Sequence, residues 1–164
     1  MSRWRLLALA AAIAAVGSTA RAQMGGLGGP TTVETQQKTA LGKLPAALVD
    51  WVTEESLRQA RSPGDLDTLD AEMTETLGED LDTAARRARM GSADLTSALR
   101  YYIVREAGRL LDEDIRARRK LAGPEPADDE MLAIETAISH RNRVRALEEQ
   151  AQRRLTGKGK AFLD

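Results

Sequence analysis

Residues 95–115 read LTSALRYYIVREAGRLLDEDI, and their spacing decides the fold class. Leu95, Leu99, Tyr102, Ile103, Ala107, Leu110, Leu111 and Ile115 recur every three or four residues. That period places all eight on one side of an α-helix and is incompatible with the strict alternation of a strand. The helix stops at Gly123-Pro124-Glu125-Pro126, where proline removes the amide hydrogen and glycine frees the chain to turn. Upstream, Met90-Gly91-Ser92 ends one helix and caps the next.

Moving outward toward the N-terminus, Leu66, Leu69, Met73, Leu77, Leu81, Ala84 and Ala88 form a second helical stripe. Ser62-Pro63-Gly64-Asp65 announces its start: Ser62 is expected to cap, Pro63 suits the first helical position, and Asp65 favours the positive helix end. Gly78, inside the stripe, is read as a place for a bend. Before it, a helix over 45–61 carries Leu48, Trp51 and Val52. Thr31-Thr32-Val33-Glu34 has the pattern of a capping box, but Gly42 and Pro45 interrupt the helix it starts. Toward the C-terminus a helix over 128–155 runs along Ala133, Ala137, His140, Val144, Leu147, Ala151 and Leu155. Gly157 and Gly159 are then expected to release a basic tail, 158–164.

No segment reads as a strand. The fold class is all-α, and short connections predict an up-down antiparallel bundle of about four helices within residues 31–157. A more open helical array is the alternative.

Residues 1–22 read as a signal peptide. Arg3 and Arg5 precede eleven uncharged residues, Leu6 to Val16, and Ala20-Arg21-Ala22 forms a small-residue cleavage site before Gln23. The apolar stretch is shorter than the roughly 20 residues a membrane-spanning helix requires. Residues 23–30, QMGGLGGP, are a Gly-rich leader. Trp4 separates the two arginines, so there is no twin-arginine pair, and no cysteine stands at the cut to carry a lipid. The expected destination is the periplasm or the exterior.

Cleavage removes Arg3, Arg5 and Arg21 and leaves 142 residues with 21 basic and 25 acidic side chains, enough for one domain. A dedicated nucleic-acid binder needs a basic surplus to displace counterions, so this balance argues against one. With no cysteine there is neither disulfide nor thiol nucleophile. Stability has to come from a core of Leu, Ala, Val, Ile and Met.

Charge is laid out in blocks. Asp65, Asp67, Asp70, Glu72, Glu75, Glu79, Asp80 and Asp82 include no base between them, while Arg116, Arg118, Arg119 and Lys120 are basic. Antiparallel hairpins predict that Asp65, Asp67 and Asp70 face Arg116 to Lys120, each surface pair contributing about 0.2–1 kcal/mol. A calcium loop starting at Asp65 has Leu69, Asp70 and Thr76 where a ligand, a glycine and the bidentate glutamate belong. No metal or cofactor is expected.

Catalytic chemistry finds little support. His140, the single histidine, has Thr136, Ala137 and Val144 as helical neighbours, none of them a ligand, and reads as a core-edge residue. There is no G-x-S-x-G elbow, phosphate loop or dinucleotide fingerprint. Leu99-Arg100-x-x-Ile103 resembles the opening helix of the secreted chorismate mutases, but Val104 stands where acidic residues should follow. Leu95-Thr96-Ser97-Ala98-Leu99 departs at the glutamine from the L-T-x-x-Q motif of helical periplasmic chaperones. Neither family is assigned.

Arg100, Tyr101 and Arg105 are the candidate binding residues, with Tyr101 turned away from the main stripe. The leading expectation is an exported, non-catalytic interaction protein: an adaptor, a chaperone-like binder or an assembly subunit of the envelope. Its partner is another envelope protein or a second copy, with weak membrane-surface contact through the tail. A small secreted enzyme using Arg and carboxylate groups in a bundle pocket is the alternative.

Overall fold

The structure, a computed structural model, describes residues 41–164. The expected signal peptide, leader and Thr31 capping box lie outside the described residues. Five helices occur among those described: α1 (Ala46–Arg61), α2 (Leu66–Arg87), α3 (Ser92–Ala122), α4 (Asp128–Arg153) and α5 (Gly157–Leu163). No strand accompanies them, and none of these helices is long and apolar enough to cross a membrane.

The breakers act close to where the sequence puts them. Ser62 closes α1 and leaves the cap of α2 to Asp65, whose carboxylate accepts the Thr68 amide at 2.8 Å. That bond to the backbone holds the Asp65 carboxyl below its usual range. The expected cap at Ser62 is thus displaced by three residues, because Pro63 and Gly64 serve the turn and only Asp65 reaches an orphan amide. Gln59 clamps the same turn, accepting the Gly64 amide at 2.9 Å while donating to buried Glu55 at 2.8 Å. The second helix runs unbroken through Gly78. Gly123 ends α3 at φ 70°, a left-handed conformation open to glycine at no steric cost.

Helix α3 is the axis of the molecule: α1, α2, α4 and α5 all pack against it. Leu95, Leu99, Ile103, Ala107 and Leu111 are buried as the stripe requires, with Tyr102 and Leu110 half-buried. Burial pushes the Tyr102 phenol up to about 12, so it stays neutral. A second face, Ser97, Arg100, Val104 and Gly108, is buried too. It meets α4 and the chain just after it: the Ser97 and Thr156 hydroxyls lie 3.4 Å apart, and Arg141 covers Gly108 while donating to Asp112 at 2.9 Å. These pairs are symmetric about the Pro124–Pro126 turn, so α3 and α4 form a matched antiparallel hairpin.

The second helix does not mirror that register. Asp70 lies twenty-one residues before Gly91, yet its ion-pair partner Arg100 lies nine after it. Asp67 pairs with Arg154 at 2.6 Å. The expected meeting of Asp67 and Asp70 with Arg116 to Lys120 is therefore corrected. Ala88, expected in the stripe, is exposed at the helix end, and Ala85 takes its place in the core.

The C-terminus departs most from the sequence reading. Residues expected as a free basic tail form α5, capped by Thr156, whose hydroxyl accepts the Gly159 amide at 3.0 Å. Leu163 is 2% exposed and Phe162 is half-buried against the core, while Lys158 and Lys160 stay exposed. Gly159 permits the docking, because a Cβ there would stand 2.9 Å from the Asp94 carbonyl oxygen.

Candidate functional site

The structure separates the three residues singled out from sequence. Arg100 is 6% exposed and faces inward. Its Nη1 donates to Asp70 Oδ2 and its Nη2 to the Arg154 carbonyl at 3.3 Å, whereas its Nε and Asp70 Oδ1 have no partner among the described residues. Burial outweighs the neighbouring guanidinium and raises the Asp70 carboxyl above its usual range. Tyr101 and Arg105, half-buried, line a surface cleft of about 300 Å³ with Gln152, Thr156, Lys160 and Asp164. Lone His140 is half-buried on α4, and no group of three or more potential metal ligands forms among the described residues.

A larger groove, about 510 Å³, lies on the other face of α5. Three separate parts of the chain build it. The approach to α1 supplies Lys43, Leu44 and Pro45. The end of α2 supplies Ala84, Arg87, Ala88, Arg89 and Met90. The last helix adds Lys158, Ala161 and Phe162. Four cations thus surround an apolar floor, and no acid lines it among the described residues. None of the four forms an ion pair among the described residues, although ten such pairs exist elsewhere.

The α2 end that presents these cations is a Schellman turn. Met90 N–H donates to the Ala85 carbonyl at 3.0 Å and Arg89 N–H to the Arg86 carbonyl at 3.1 Å. The turn needs a left-handed residue, and Arg89 supplies it at φ 56°. Glycine is the usual occupant. An arginine there costs about 1 kcal/mol of backbone strain and puts a guanidinium on the groove rim.

Sequence reasoning missed this cluster. The run Arg86-Arg87-Ala88-Arg89 was visible, but as the basic end expected of any helix. Nothing in the spacing of Lys43, Arg87, Arg89 and Lys158 marks them as neighbours, because their proximity depends on α5 docking beside the α2 terminus.

Unpaired cations around apolar side chains suit a ligand that carries carboxylates or other anions beside an apolar group. No known protein family matches this chain, and neither a curated protein nor a solved structure shows significant similarity to it.

Proposed function

We propose that this chain is an exported, non-catalytic interaction protein of the periplasm or cell exterior. It acts as an adaptor, chaperone-like binder or assembly subunit, and its basic apolar groove receives an acidic segment of a protein partner. The observation that carries this reading is the set of four cations, Lys43, Arg87, Arg89 and Lys158, without ion-pair partners among the described residues and set around Leu44, Pro45, Met90 and Phe162. Several spaced charges favour a segment with several carboxylates over a ligand with one anionic head. The helices are read as an up-down antiparallel bundle in which α2 is offset from its neighbours, with the groove at the end where α1 begins and α2 finishes.

A direct test is fluorescence anisotropy with a fluorescein-labelled peptide of alternating glutamate and leucine. Binding is expected to weaken as salt rises, since exposed charges are screened. Arg89→Gly is the informative variant. It removes one rim cation and relieves the left-handed strain, so it is expected to hold or raise stability while weakening the peptide several-fold. Equal affinity for the variant, or equal affinity for a lysine–leucine peptide, argues against the groove.

Export has its own check. Edman sequencing of protein recovered from the culture or periplasm is expected to begin at Gln23; a start at Met1 removes the signal-peptide reading.

A further inference from the structure

The opposite end of the molecule carries chemistry complementary to the groove. Three large apolar side chains are markedly exposed among the described residues: Leu121 at 85%, Leu132 at 65% and Met131 at 45%. All three sit at the apex of the α3–α4 hairpin. Around them stand Glu125, Asp128, Asp129 and Glu130, exposed and without an ion pair among the described residues. Asp129 and Glu130 also accept backbone amides at the α4 start, Glu130 from Ala127 and Asp129 from Glu130. Met131 and Leu132 follow directly, so one turn of helix presents three carboxylates beside two apolar side chains. Arg119 and Lys120, in the last turn of α3 directly before Leu121, are the bases next to this cluster in the chain.

Groove and apex match in both respects: four cations around apolar side chains at one end, acids around apolar side chains at the other. They are separated by the length of α3, 31 residues, about 46 Å at helical rise. One molecule therefore cannot close the contact on itself, whereas two molecules can. We propose that the acidic, apolar apex of one copy docks in the basic groove of the next, so that the chain assembles head to tail. This rests on the reading of the groove given above and names its partner as a second copy of the chain. The contact is heterologous, so each added copy leaves one groove and one apex open, and growth gives a ring or a filament.

Sedimentation velocity of the purified protein from micromolar to millimolar concentration reads this directly. The average mass is expected to climb with concentration, without stopping at a dimer, and to fall back in high salt. Two charge-neutralising double variants, both at exposed positions, divide the interface: Arg87→Gln with Lys158→Gln in the groove, and Asp128→Asn with Asp129→Asn at the apex. Circular dichroism confirms that each keeps its helices. Each alone is expected to be monomeric. An equimolar mixture regains one good groove and one good apex, and is expected to form a one-to-one dimer and nothing larger.

A wild-type chain that remains monomeric throughout overturns the proposal. A dimer that persists in the groove variant also overturns it, since that result means symmetric association through the apices. If the wild type stays monomeric but the glutamate–leucine peptide still binds, only the assembly fails. If neither occurs, the reading of the groove fails with it.

Discussion

Replacing Arg100 by methionine is expected to cost about 3 kcal/mol of stability at neutral pH, the loss typical when one member of a buried ion pair is removed. The cause is the partner left behind. Asp70 is partly withdrawn from water, one of its oxygens already lacks a hydrogen bond among the described residues, and burial outweighs Arg100 in setting its ionisation. Without the guanidinium, the Asp70 carboxyl rises further above its ordinary value. A carboxyl whose folded-state pKa is raised takes up its proton in the folded protein before the unfolded one. The deficit is therefore largest above the raised pKa and shrinks as pH falls through it. Urea unfolding at neutral and mildly acidic pH measures both parts. An Arg100→Met chain as stable as the original at neutral pH refutes the account. The double variant Asp70→Leu with Arg100→Met is expected to recover most of the loss, since apolar replacement of a whole buried pair is often neutral or better. Arg100 thereby acts in joining α2, α3 and the end of α4, not at the Tyr101–Arg105 cleft.

Gly159→Ala is expected to undock α5. Helix propensity alone favours alanine by about 1 kcal/mol, so propensity and packing predict opposite signs. Packing decides, because the new Cβ would stand 2.6 Å from Ser97 Oγ and 2.9 Å from the Asp94 carbonyl oxygen. A serine hydroxyl can rotate away, but a carbonyl in the first turn of α3 cannot. Lifting α5 exposes Leu163, whose burial contributes about 2 kcal/mol, and frees Phe162. Part of that loss is offset by the entropy the seven residues regain. The expected net cost is about 1–2 kcal/mol, with loss of hydrogen-exchange protection at the Lys160 and Asp164 amides. Since Lys158, Ala161 and Phe162 line the groove, peptide affinity should drop at least tenfold. Retained protection and affinity together rule out α5 as a wall of the site.

Both predictions concern residues whose roles differ from what linear spacing suggests. Arg100 lies between Leu99 and Tyr101 and reads as a surface cation flanking an apolar stripe. Helix α3 is buried on a second side, however, so Ser97, Arg100, Val104 and Gly108 are interior without being uniformly apolar. Periodicity detects a face only when hydrophobicity marks it. This one is marked by small residues that admit close approach and by a charge that is paired. Gly159 similarly reads as a helix breaker in a basic tail. Its lack of a side chain instead allows α5 to lie against α3, a use of glycine that depends on Asp94, about sixty-five positions earlier in the chain.

What the sequence determined by itself was local. The three-and-four spacing of leucine, isoleucine and alanine dictated helices. Pro63, Gly91, Gly123 and Pro124 placed their ends near where they fall, since backbone freedom and missing amide hydrogens act within a few residues. Only the tertiary structure decided which acid meets which base, that Ser97–Gly108 is an inner face, and that Lys43, Arg87, Arg89 and Lys158 ring one groove. Those relations depend on the offset of α2 and the docking of α5. Both are settled by side-chain fit between segments remote in sequence, which no single helix period encodes.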